Sequence, residues 1–250
     1  MSGFVAAVAV LMGYYLAALL IVPMALRAWP GMPDEAVRKT QHLGYGLSIW
    51  PLLTLFESWY AAIAASALLI VLAYPALWAL ERWPGYHRAF PDRDPRGGEL
   101  RRSLLWVQVS FAASLAVYWG FAGTLGRTAL AAGVMAWTFG DALAAAVGRA
   151  PGRHRARGRF LSGSKSAEGS LAMAAAAALA AAVTVRVYGG VDGPLALASG
   201  LLAGPLAAAV ELYSGHGTDT LSVPFVATTA VWTVLVVAAR LGPLLAGAGA

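Results

Sequence analysis

One carboxylate in this chain sits where a carboxylate is costly. Asp141, preceded by Gly140, lies deep in an apolar run of membrane-spanning length. Ionisable groups in such runs are expensive and mark function by default. Downstream come Ala144, Gly148, Arg149, Gly152, Arg153, His154, Arg155, Arg157 and Arg159, and then Gly163, Ser164, Lys165, Ser166, Ala167, Glu168, Gly169 and Ser170. A carboxylate, a glycine-rich basic loop and a second carboxylate at a helix start suit a polyphosphate. Glycines let backbone N–H groups approach phosphate, while Arg and Lys neutralise it. The helix starting near Glu168 to Ser170 adds the positive end of its dipole. Asp141 and Glu168 are candidate ligands for Mg²⁺, which takes carboxylates together with phosphate oxygens. Taken singly, the arginines read equally as a headgroup-binding patch and Asp141 as a satisfied polar residue between helices. Their concentration on one expected face favours the phosphate site. A Walker A loop is excluded, because Lys165 stands one residue too late after Gly158 and Gly163 and no strand precedes it.

Three further groups accompany this one. Glu211 ends an apolar run and is followed by Ser214, Gly215, His216, Gly217, Thr218, Asp219 and Thr220, with Leu221, Ser222, Val223 and Pro224 opening the next run. Asp219 also reads as a helix cap, whereas Glu211 needs a partner. Arg38, Lys39, Gln41 and His42 lead through Gly44 and Gly46 into a short apolar segment, and could equally be a headgroup-binding helix entry. Gly97, Gly98, Glu99, Arg101 and Arg102 form the fourth and least specific group.

The elements that must hold these residues are membrane helices. Of 250 residues, 59% are hydrophobic and only 12% charged, with a mean hydropathy of +0.66. That is about half the roughly 25% charged content of soluble domains, too few charges to cover a water-facing surface. The absence of cysteine rules out disulfides and thiolate metal sites. The net charge of +6 is better read as basic cytoplasmic loops than as a nucleic-acid surface. A span needs about 20 apolar residues. Candidates are residues 4–26, 43–56, 60–80, 104–121, 128–147, 169–187, 194–212 and 221–241. The second is short, a half-helix or a tilted segment, so the expectation is an all-α protein of seven or eight spans. With eight spans and the N-terminus outside, the cytoplasmic loops are 27–42, 81–103, 148–168 and 213–220. Fifteen of the 18 Lys and Arg residues fall in them, the asymmetry of the positive-inside rule. Both termini are then extracytoplasmic and the polar chemistry cytoplasmic. Heavy use of Ala, Gly and Arg hints at a prokaryotic plasma membrane.

Gly140-Asp141, Ala144, Gly148, Gly152, Lys165-Ser166 and Glu168-Gly169-Ser170 together resemble the signature of the polyprenol kinase family, which includes dolichol, phytol and farnesol kinases and the CTP-dependent diacylglycerol kinase. Arg38-Lys39 and His42 resemble its early motif. Glu211 with Asp219, Leu221, Val223 and Pro224 resembles its last, with Thr220 where the family commonly has asparagine. The resemblance runs over about residues 36–225 of one transmembrane lipid-kinase domain occupying 1–250. It implies phosphoryl transfer from CTP, with ATP still open, to an isoprenoid or lipid alcohol drawn from the bilayer, giving a lipid monophosphate and CDP. Asp141 would bind Mg²⁺ or activate the alcohol. Lys165 and Arg149 would meet phosphates, with Gly148, Gly152, Arg153, Ser166, Gly169 and Ser170 around them. Glu168, Glu211 and Asp219 would be further metal or nucleotide contacts.

Two rivals remain at this point. Phosphatidate cytidylyltransferases share an intramembrane Asp, a Gly-Arg loop and a Lys-Ser/Thr-x-Glu-Gly-Ser segment, and Gly215-His216-Gly217 with Asp219 echoes their last motif. The early Arg-Lys-x-x-His motif favours the kinase. A cation path through Asp141, Glu168 and Glu211 is the third reading, weakened by charges gathered at one face instead of the midplane. The apolar spans do not discriminate among long-chain alcohols.

Overall fold

A computed structural model describes residues 2–92, 97–148, 154, 165–214 and 219–247. Among these, the secondary structure is helical and there are no strands; seven helices are long and apolar enough to cross a membrane. The chain divides into two compact units, 1–116 and 117–250.

In the first unit, α1 (Ser2–Leu16) passes through a π-helical turn (Ala17–Ile21) into α2 (Val22–Arg27). There follow α3 (Asp34–Leu47), α4 (Ile49–Thr54), α5 (Trp59–Leu80), the short α6 (Tyr86–Ala89) and α7 (Glu99–Ser114). The doubtful second span resolves as α3 and α4, broken at Ser48. Neither meets the length of a span alone, yet together they carry the chain from one end of the unit to the other. Arg27 pairs with Asp34 at 2.6 Å. Further along, Tyr14 and Tyr15 donate to Gly44 O and Ser48 Oγ, at 2.7 and 2.6 Å. Phe4 meets Phe56 with ring centroids 5.8 Å apart. These contacts step along α1–α2 and α3–α4 in antiparallel register. The helix begins at Asp34 and not at Leu43 because its first turns are amphipathic, with Val37 and Gln41 buried and Asp34 exposed.

The boundary between the units falls in a second π-helical stretch (Leu115–Phe121) that continues α7. The second unit holds α8 (Gly123–Gly148), α9 (Ala167–Val187), α10 (Gly193–Tyr213) and α11 (Asp219–Gly247). Local sequence explains the starts. Ser166 caps α9 by accepting from Gly169 N–H at 3.1 Å, and an alanine-rich run, the strongest helix former, sustains it. Asp192 caps α10 through Leu195 N–H at 2.8 Å, with Pro194 in the first turn.

Small residues let these four helices approach closely, as is usual where lipid gives no hydrophobic drive. α8 is buried continuously from Thr128 to Thr138. A side chain on Gly133 would collide with the α11 backbone at Thr228, and one on Gly200 or Gly204 with α9 carbonyls of Ala178 and Ala174. We expect Gly133→Val to destabilise the protein by about 3 kcal/mol through overpacking, seen as a large fall in Tm in detergent, with Ala at the same position milder.

Candidate active site

The sequence-assigned carboxylates of the second unit share one end of its bundle. Antiparallel packing sets the levels. A Cβ on Gly140 would stand 3.2 Å from Met173 Cγ, and one on Gly169 would stand 3.2 Å from Ala144 O and 3.3 Å from Gly148 Cα. The ends of α8 and α9 thus meet at Gly148 and Gly169. Asp141, half-buried, sits seven residues before Gly148 and so roughly 10 Å further into the bundle. Glu168 and Glu211 lie at the rim, one in the first turn of α9 and the other in the last turn of α10. Asp219 opens α11, its Oδ1 accepting from Thr220 N–H at 3.0 Å. Ser214 and Ser222 hydroxyls, 2.9 Å apart, join the α10 and α11 ends.

Lys165 is anchored, not loose. Its ammonium pairs with Glu211 Oε1 at 2.8 Å and donates to the carbonyls of Glu211 and of Ser214, the latter at 3.3 Å. An ammonium has three N–H donors, and three acceptors surround this one. They sit at the C-terminal end of α10, where the helix dipole favours a cation. Glu211 therefore has the partner its position demands.

Glu168 is held through one oxygen. Its Oε1 accepts from His154 N–H at 3.2 Å and meets His154 Nδ1 at 2.8 Å. Its Oε2 is buried without a hydrogen-bond partner among the described residues, as is the Ser170 hydroxyl. Gly148 and Gly169 let α8 and α9 touch, and Ser166 is spent on the cap. In this geometry, close packing is the visible work of the two glycines and helix capping that of Ser166. Of the assigned loop residues, Arg149, Gly152 and Arg153 lie outside the described residues, as do Gly163, Ser164 and the Gly215 to Thr218 stretch.

The first unit has its own polar end. Arg38, mostly buried, is forked between Glu35 Oε2 at 2.5 Å and Glu99 Oε1 at 3.1 Å. This ties α3 to α7, so its charge is matched within the protein. Arg101 reaches Glu81 at 3.2 Å, and Arg27 Nε donates to Arg88 O at 2.9 Å. Gly97 and Gly98 take φ of 72° and 80°, the left-handed turn that lets Asp92 Oδ1 accept from Glu99 N–H at 3.1 Å. Burial pushes the Asp92 carboxyl above its usual range. Lys39 and His42 lie on the same helix as Arg38, both half-buried.

Sequence reasoning missed Glu35, Glu81, Asp92 and the part played by His154. Glu35 was findable, since it stands three residues before Arg38 on one helix face. The others depend on tertiary contacts that no spacing reveals.

Among the described residues no three His, Asp or Glu side chains gather into a metal-ligand group. No protein-family model matches the chain, and no solved structure does. A phytol kinase from Synechocystis sp. is 30% identical over 226 residues, covering 87% of this chain and 87% of the relative. The chain belongs to the phytol kinase family. Membership bears out the polyprenol kinase resemblance carried by the motifs. At 87% of the chain, the similarity reaches into both units.

Proposed function

We propose that this protein is a lipid-alcohol kinase. It transfers the γ-phosphoryl group of a nucleoside triphosphate, CTP by preference, to an isoprenoid alcohol of the phytol type. The observation that carries the reading is the extended similarity to a phytol kinase, joined to carboxylates and a lysine at one end of a membrane bundle. The depth difference supports a division of labour. Asp141, further into the bundle, suits an alcohol arriving from lipid. Glu168, Glu211 and Asp219, at the rim, suit a nucleotide arriving from water. The hydroxyl oxygen attacks the γ-phosphorus, its proton passes to Asp141, and the bond to the departing nucleoside diphosphate breaks. Phosphoryl transfer of this kind is mostly positioning and charge neutralisation.

Mg²⁺ fits the donors present. It binds through one or two carboxylates plus phosphate oxygens and does not need a protein cage, and the unengaged Glu168 Oε2 is such a donor. When bound it would neutralise the phosphates. Glu168 and Asp219 would hold it, with Glu211 joining once Lys165 turns toward phosphate. We place the arginine-rich loops in the cytoplasm of a prokaryotic plasma membrane. Support comes from the basic asymmetry of the loops when α3–α4 is counted as an eighth span beside the seven long apolar helices.

The test is a panel assay on protein purified in detergent with Mg²⁺. Phytol, farnesol, dolichol, diacylglycerol and phosphatidic acid are each offered with γ-labelled CTP or ATP. Label on an alcohol, greatest with an isoprenoid and CTP, is the expected result. Labelled pyrophosphate released with phosphatidic acid would overturn it in favour of a cytidylyltransferase. Cation flux in liposomes without any lipid product would overturn it in favour of a transporter.

A further inference from the structure

His154 is fixed against the first turn of α9 at three points. Its carbonyl accepts from Ala167 N–H at 2.9 Å, and its N–H and Nδ1 both meet Glu168 Oε1. Yet its side chain is 88% exposed, so the imidazole contributes almost nothing to packing. The polar consequence is larger. With Oε1 doubly engaged, the Glu168 carboxylate cannot rotate freely, and its other oxygen is turned into a buried position without a partner among the described residues. A buried, unengaged carboxylate oxygen is costly unless something completes it. The Ser170 hydroxyl, two residues on, is in the same condition.

We propose that His154 is a positioning residue for phosphoryl transfer. By holding Glu168 Oε1 it makes Oε2 the oxygen offered to the Mg²⁺–nucleotide. The inference rests on the lipid-kinase reading above. It assigns to His154 the work of a group beyond the ligand shell, which orients a ligand without touching metal. Loss of such groups commonly weakens metal binding by about 10- to 100-fold.

The experiment compares His154→Ala, His154→Asn and Glu168→Gln in the full-length protein. Mn²⁺ binding is followed by electron paramagnetic resonance with a non-hydrolysable CTP analogue present, alongside Tm and lipid phosphorylation. His154→Ala should weaken Mn²⁺ binding about tenfold with little change in Tm. Asparagine, which can place an amide N–H near the Nδ1 position, should restore most of the binding. Wild-type binding in His154→Ala, or a loss that asparagine does not repair, would overturn the proposal. Glu168→Gln separates the two levels. If it abolishes binding and turnover while His154→Ala does neither, only the positioning role falls. If Glu168→Gln is itself silent, the assignment of Glu168 falls with it.

Discussion

Replacing Asp141 with asparagine is expected to lower lipid phosphorylation about 10³-fold while leaving Tm close to that of the parent protein. Asparagine keeps the shape of the side chain, so the neighbouring contact of Gly140 with Met173 and Ala177 is undisturbed. What it loses is the negative charge and the basicity. Removing a general base costs about 10²- to 10⁴-fold, and removing a preorganised charge about 10²- to 10³-fold. A residue that only filled a polar gap between helices would be replaced by asparagine almost without effect on rate. The measurement is initial rate at saturating nucleotide and alcohol, with Mg²⁺ varied. A fall in kcat with an unchanged Mg²⁺ requirement points to proton acceptance. A raised requirement points to a ligand role.

The second large effect is expected at the Lys165–Glu211 pair. Both side chains are mostly buried, at 17% and 13% exposure. Lys165→Met should destabilise the protein by about 3 kcal/mol, because it strands a buried carboxylate and two carbonyls. Adding Glu211→Leu should recover most of that loss, since an apolar pair of similar volume often substitutes for a buried ion pair. Turnover should not recover. Both variants are expected to phosphorylate at least 10²-fold more slowly, because charge on the phosphates is then unmatched. Melting curves and rates on the single and double variants separate the two contributions. Recovery of rate together with stability would mean that the pair only holds α9 to α10.

Much of the fold was legible because membrane helices announce themselves by length and apolarity. Residues 60–80, 169–187 and 194–212 were expected, and α5, α9 and α10 occupy 59–80, 167–187 and 193–213. The errors have a common cause. Helices that begin with polar turns, as at Asp34 and Glu99, start before their apolar stretch does, so hydropathy places the start too late. The α3–α4 segment was ambiguous for the same reason, since its first turns carry Asp34, Glu35, Arg38 and Lys39 and Ser48 interrupts it.

The site was legible in its residue types and less so in their use. Position in sequence marked Asp141, Glu168 and Glu211 because carboxylates are rare in such surroundings. It could not reveal that Lys165 and Glu211 face each other, or that Glu99 joins Glu35 in matching Arg38, since those pairings depend on which helix ends meet. The glycines carried the most ambiguous signal. Gly148 and Gly169 fit a phosphate loop by spacing, but the helix contact they permit is equally a reason for glycine. Between the two helices, close approach and phosphate approach ask for the same absent side chain.

The most direct test of the central claim is the fate of two phosphorus atoms. Purified protein in detergent with Mg²⁺ and phytol receives CTP carrying distinguishable labels on its α- and γ-phosphates, and the extracted lipid is counted for each. The account predicts the γ label in the lipid and the α label left in water as CDP. An α label in the lipid, in this mixture or with phosphatidic acid in place of phytol, would contradict it.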